Sequence, residues 1–328
     1  MQSPAIVNVL RQLAGNSGVV DWETFTQTCL FHPQLGYYTA QRKRVGHARG
    51  TDFYTAASLG PVFHRLIASA VEHLAKTTDL RVVELGAEAE QPVETTAWER
   101  FNSFESWNLG TSWPPPTLNA PAFVFANEVL DAQPFRRFEF ADERWYELGV
   151  RLQDNGTLET VRLPQVSENA QAFVHGLPAQ GPRAGTRLDI SLSAEDLLER
   201  LCRLNSITGL IFLDYGKTLH ELLETSPQGT ARAYYRHTLE KNLLAHPGAQ
   251  DLTCHVCWDR LEAVLARNGW STVRMQRQER FFIEHAQEAV RAVIEHQPGA
   301  FDKERQALMA MLSPGHLGSK FQVLSALR

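Results

Sequence analysis

The chain predicts an α/β fold built on a mostly parallel sheet, and three apolar segments carry that prediction. LRVVELG (80–86), AFVFANE (122–128) and GLIFLDYG (209–216) are each short, largely apolar and marked by an acid at or near the end. Such runs suit strands buried on both faces, which is how the strands of a parallel sheet lie between layers of helices. The position of the acids matters because open α/β sheets keep their ligands at the carboxyl ends of the strands.

In chain order, residues 21–29 suit a short helix, and FHPQLGYYT (31–39) an aromatic turn punctuated by Pro33 and Gly36. A basic loop, QRKRVGHARG (41–50), leads into TDFYTAASLGPVF (51–63). Apolar residues at Val62, Leu66, Ile67, Ala70, Val71 and Leu74 recur at helical spacing and predict an amphipathic helix over 62–75. LRVVELG then opens the sheet. A nucleotide-binding α/β unit normally turns here through glycines, because side chains would collide with a close-lying cofactor, whereas this chain reads Ala87-Glu88-Ala89-Glu90-Gln91-Pro92. A strand with its crossover helix takes about 30 residues. The 39 residues from Ala87 to Phe125 therefore hold one helix and strand but not two. Three prolines in TSWPPPT (111–117) shorten the usable length further. The expectation is a shortened, degenerate cofactor region in which the second strand of the unit is missing.

The stretch ANEVLDAQPF (126–135) then delivers Asn127, Glu128 and Asp131 beyond an apolar strand. The same residues equally suit a strand followed by an acidic, N-capped helix start. WYELGVRLQDNGTLETVRL (145–163) reads as a hairpin turning at Asp154-Asn155-Gly156. Residues 166–186 read as a polar loop, and Ser193 with Asp196 as a capping box for a helix reaching Leu204. GLIFLDYG brings Asp214 to the same sheet edge. Beyond it come a loop containing GTARAYYRHTL (229–239), a strand near 251–256, a helix over 258–268 closed by Gly269, and a strand over 270–276. Helical segments near 284–296 and 302–312 follow.

Composition excludes several classes. A net charge of −5 offers no general attraction to nucleic acid or to an anionic membrane surface. No apolar run approaches the roughly 20 residues that a membrane span requires, and residues 1–13 lack the apolar core of a signal peptide. A cytoplasmic protein is expected. Of the four cysteines, Cys29 and Cys202 sit alone in apolar surroundings as small hydrophobes. Cys254 and Cys257 form a single CxxC with no second ligand pair, so no metal site is expected.

The motifs HPQLGYYT, GTDFYTAASLGPVF, VVELG, ANEVLDAQPFRRF, GLIFLDYG, GTARAYYRHTL, HPGAQDLTCHVCW and the terminal LGSKFQVLSAL occur in one order, from about Phe31 onward. In this the chain resembles the S-adenosylmethionine-dependent methyltransferases that include the mitochondrial complex I assembly methyltransferase and its bacterial relatives. The resemblance implies a Rossmann-like methyltransferase core over 76–328, with a β-hairpin insertion at about 140–190 and a helical N-terminal segment, 1–75, packing on it. It also implies S-adenosylmethionine as cofactor and a protein with an exposed arginine as substrate or partner, and it leaves room for a homodimer.

Methyl transfer from a sulfonium chiefly needs an aligned nucleophile, so the protein's task is positioning and charge management. Carboxylates bind a guanidinium in a bidentate fork and can assist its proton loss. Glu128 and Asp131 are the candidates for that role. Asn127 would orient a substrate or cofactor amide, and Asp214 with Tyr215 would complete the wall; each also suits a plain strand-end cap. His255, ending QDLTCH, is similar to a family histidine and suits either a proton shuttle or a filled polar gap. By the same resemblance Glu84, Gly86, Asp52, Phe53, Thr55 and Asn127 face the cofactor. After Gly86, however, the family's glycines give way to Glu88 and Glu90, and no acid is evident to grip the ribose hydroxyls.

Two readings follow. One is an active protein arginine methyltransferase. The other is a degenerate relative, a pseudoenzyme whose acidic residues bind a basic peptide or protein without catalysis. A hydrolase built on the same carboxylates lacks a nucleophile motif such as GxSxG.

Overall fold

The computed structural model describes residues 4–39, 60–87, 96–107, 120–236, 238–295, 303–313 and 318–328. Two compact units share the chain discontinuously. The first is Met1–Arg42, Leu130–Asp196 and Lys217–Arg260; the second is Lys43–Val129, Leu197–Gly216 and Leu261–Arg328. The segment expected as an N-terminal helical addition is divided between them: helices Pro4–Ala14 and Trp22–Phe31 belong to the first unit and Pro61–Ala75 to the second.

The second unit is built on a six-stranded sheet. Its order is Thr272–Arg277, Gln322–Leu327, Ile207–Asp214, Ala122–Asn127, Arg81–Leu85, Ser103–Trp107. The last four strands run parallel, and Gln322–Leu327 is antiparallel to both of its neighbours. The three segments read as doubly buried strands are the three central parallel ones. Phe123, Val124 and Phe125 are fully buried, as apolar runs between two covering layers must be. The helix Pro61–Ala75 starts on a proline, which loses no needed N–H there, and packs Phe63, Leu66, Ile67, Ala70 and Val71 into the core with Phe281, Phe282 and Met311.

The expected gap in this sheet is not there. Ser103–Trp107 pairs with Arg81–Leu85 in full parallel register, from Arg81 opposite Ser103 to Leu85 opposite Trp107. The sequence hid it because SFESW has an acid in its middle and sits on the sheet's edge, where every residue is only partly buried. The described part of its lead-in is a short 3-10 turn, Thr96–Trp98, where a full crossover helix was allowed for.

The first unit carries an antiparallel sheet in the order Val19–Asp21, Arg144–Leu152, Arg136–Ala141, Arg187–Ile190, with Leu158–Arg162 paired on the long strand. The hairpin turns where predicted. Gly156 adopts φ +84°, Gly156 N donates to Gln153 O at 2.9 Å, and Gln153 N donates to Thr157 O at 2.9 Å. Asp21 caps the helix Trp22–Phe31 by accepting from Thr24 N at 2.8 Å. A second small sheet joins Thr238–Glu240, Arg232–Tyr235 and Asp251–Thr253, so GTARAYY is mostly strand rather than loop.

Three further local expectations differ from the fold. No helix starts after Asn127; the chain turns through Glu128, whose φ is +53°. The helix Leu192–Cys202 is entered on Ser191, whose Oγ accepts from Ala194 N at 3.0 Å, not on Ser193. The polar loop at 166–186 contains a helix, Glu168–His175. Among the described residues no helix is long and apolar enough to cross a membrane.

Candidate functional site

The six-stranded sheet changes direction at two neighbouring strands. Ser103–Trp107 lies beyond Arg81–Leu85 on one side, and Ile207–Asp214 lies beyond Ala122–Asn127 on the other. Ligands of open α/β sheets sit beyond the carboxyl ends of such a pair. Those ends are Gly86 and Asn127.

Four sequence-predicted residues gather along this edge. Glu84 is level with Phe125, two residues before Asn127, while Asn127 is level with Leu213, one residue before Asp214. Glu128 N donates to Leu213 O at 3.0 Å, so the ladder extends one residue past the strand before the left-handed turn. A non-glycine residue there stores about 1 kcal/mol of strain or more, which the surrounding structure must offset. Asn127 Nδ2 donates to Glu128 Oε1 at 3.1 Å. That bond fixes the amide and leaves Asn127 Oδ1 buried with no hydrogen-bond partner among the described residues. Asp214, buried, accepts from Tyr215 N at 2.8 Å, and the Tyr215 ring lies tilted at 46° to Phe321 with 4.1 Å between centroids.

Gly86 is required by packing. Its φ is +79°, and a β-carbon built on it would run into Val129 Cγ2. Glu84 is buried, and His64 Nε2 from the helix Pro61–Ala75 lies 3.8 Å from its Oε1. The added strand brings no acid to its tip. Its single carboxylate, Glu105, stands mid-strand, 3.2 Å from Arg81 Nη1 and 3.3 Å from Trp107 Nε1. Asp52, Phe53, Thr55, Glu88 and Glu90 lie outside the described residues.

Asp131 and His255 belong to the first unit. Asp131 O accepts from Cys254 N at 3.1 Å, tying the end of ANEVLDA to the CxxC segment. Tyr38 O–H donates to Asp251 Oδ1 at 2.6 Å. Burial, then the negative charges of Asp251 and Asp131, hold the Tyr38 phenol well above its usual pKa. His255 N donates to Thr230 Oγ1 at 3.2 Å, and Thr230 N and Ala231 N both donate to Asp189 Oδ2 at 2.7 Å. Burial, followed by the charges of Lys217 and Arg232, pushes the His255 imidazole down to about 4. It is neutral near pH 7, and its Nδ1 has no partner among the described residues. Such a ring can accept a hydrogen bond but is a weak resting base.

Sequence reading missed His64, Tyr38 and Asp251. The motifs HPQLGYYT and QDLTCH contain two of them, but the pairing of Tyr38 with Asp251 spans 213 positions and leaves no local signal.

Residues 63–276 match the family described as "Putative S-adenosyl-L-methionine-dependent methyltransferase". No curated protein matches the chain. A crystal structure of a protein from Burkholderia thailandensis, bound to S-adenosyl-homocysteine, superposes with a TM-score of 0.83 at 21% identity over 100% of this chain and 95% of that one. A native structure of an uncharacterized protein from the same organism gives 0.82, 21%, 100% and 94%. At that identity the likeness establishes the fold: a methyltransferase-type α/β architecture with a Rossmann-like core.

Proposed function

Because the chain belongs to this family of S-adenosyl-L-methionine-dependent methyltransferases, we propose that it methylates an arginine of a protein substrate, as its resemblance to the complex I assembly group implies. One observation carries the reading: the orphaned, buried Oδ1 of Asn127 at the carboxyl edge of the sheet, where ligands of this architecture lie. A buried acceptor without a donor costs about 1–3 kcal/mol, and a bound amino or amide donor would remove that cost.

The residues fit the group the family uses. Glu84, Gly86 and Asn127 would hold it, with Asp52, Phe53 and Thr55 assigned to it by resemblance alone. S-adenosylmethionine, when bound, supplies an electrophilic methyl on a sulfonium. The chain's own part is then electrostatic. Glu128 presents a carboxylate held by the Asn127 amide, and Asp131 follows three residues later in the same motif. Glu128 would bind a guanidinium, align it and favour its deprotonation during transfer, a role the sequence offers to Asp131 as well. Asp214 would add negative charge at the same edge.

Binding without methyl transfer is the second reading, and one observation favours it. The edge strand Ser103–Trp107 spends its carboxylate on Arg81 and Trp107, leaving none at the tip for ribose hydroxyls. Calorimetry separates the two. Heat on titrating S-adenosylmethionine or S-adenosyl-homocysteine, with the affinity weakened about tenfold in Asn127→Ala, supports the enzyme; no heat at millimolar ligand overturns it. Capture of an arginine-rich peptide, abolished by Glu128→Ala with Asp131→Ala, would then be the expected remainder.

A further inference from the structure

The first unit contains a cavity of about 510 Å³ that the methyl-transfer reading does not use. Its volume falls in the range of small-molecule sites. Four cations line it, Arg137, Arg187, Arg232 and Lys241, against one carboxylate, Glu240.

Pairing does not remove this excess. Arg137 Nε donates to Asp189 Oδ1 at 2.7 Å, which neutralises that arginine. Arg187 lies 3.5 Å from Glu139, and Arg162, which also donates to Glu139, lies 3.5 Å from Asp142, so the surplus rests on the other two cations. Arg232 and Lys241 are exposed and have no carboxylate partner among the described residues. The Arg232 guanidinium donates only to the carbonyl of Ala231, at 2.8 Å. Glu240 is itself engaged, accepting from Asn242 N at 3.0 Å and lying 3.9 Å from His246 Nε2.

A second observation is independent of charge. One N–H donor on a lining residue, Trp22 Nε1, is buried with no acceptor among the described residues. Trp22 is fully buried, and the Arg137 guanidinium lies 4.9 Å from its ring centroid. An unsatisfied donor beside surplus cations wants an acceptor oxygen. Leu239, Leu243 and Leu244 add an apolar wall.

We propose that this cavity binds an organic anion, a phosphate or carboxylate carried on an apolar body. Arginine forks suit either headgroup, and the leucines would take the body.

The test uses the full chain at low ionic strength, with phenyl phosphate, 3-phenylpropionate and the uncharged 3-phenylpropanol as calorimetric probes. At least one anion should bind with a submillimolar dissociation constant, and the alcohol should not. Replacing the two exposed cations, Arg232→Gln with Lys241→Gln, should weaken the anion at least about tenfold and flatten its salt dependence. Each single exchange, checked for an unchanged unfolding midpoint, serves if the double variant folds poorly. Preference for one anion identifies the headgroup. Absence of anion binding at millimolar probe, equal binding of the alcohol, or unchanged affinity in the variants overturns the proposal.

Discussion

Two buried polar clusters, one in each unit, are built differently. In the first, Arg136 is nearly inaccessible and both terminal nitrogens of its guanidinium are engaged: they pair with Glu147 and Glu23 and donate to Asn169 Oδ1 at 2.8 Å, while Glu147 also accepts from Ser167 N at 2.6 Å. Asp189 likewise meets one guanidinium and two backbone N–H groups. At the carboxyl edge of the second unit's sheet, Asn127 is pinned by one bond and left open on its oxygen. Paired ions of this kind are structural, whereas an oriented acceptor left open at a strand end is what the proposed ligand would answer. The contrast is thus between a cluster whose charges the fold pairs internally and an acceptor at the sheet edge that it leaves open.

The largest effect should come from breaking the completed set. Arg136→Met strands two carboxylates, one of them fully buried, and should cost about 3–5 kcal/mol in denaturant unfolding. A loss near zero would mean these ion pairs are not formed in solution.

His255 should give the next effect, through pH. Its folded pKa of about 4 lies below its ordinary 6.5, so between those values the unfolded chain takes up a proton that the folded chain refuses. Stability is therefore complete above about pH 6.5 and declines as pH falls toward 4, by an amount on the order of 2–3 kcal/mol. His255→Gln should remove that share of the slope. An NMR titration placing the ring near its ordinary value would contradict this.

Gly86→Ala should cost about 2 kcal/mol, from positive φ and the collision with Val129. Adding Val129→Ala should restore only the steric part, leaving the backbone part. Full restoration would show that φ there relaxes freely.

The smallest change in stability should accompany the sharpest change in binding. Asn127→Ala should move unfolding by no more than about 0.5 kcal/mol while weakening S-adenosyl-homocysteine about tenfold. The reverse pattern, lost stability with intact binding, would place Asn127 among the structural groups.

Legibility in the sequence followed range. The three buried strands, the amphipathic helix Pro61–Ala75, the hairpin at Gly156 and the helix Trp258–Arg267 were readable, because each rests on spacing within a few residues or on one turn chemistry. Their acids at the sheet edge were readable too, since three strands that end alike in a parallel sheet end together. The edge strand Ser103–Trp107 was not, for an edge has one open side and imposes no continuous apolar run.

By itself, the sequence determined which segments would be buried strands and which acids they would carry to their tips, because apolar runs and turn residues act locally. Tertiary structure alone decided that Glu147 would answer Arg136, that Tyr38 would find Asp251, and that Asn127 Oδ1 would stay open. Such pairings join residues far apart in the chain, and only the packed geometry fixes which donor reaches which acceptor.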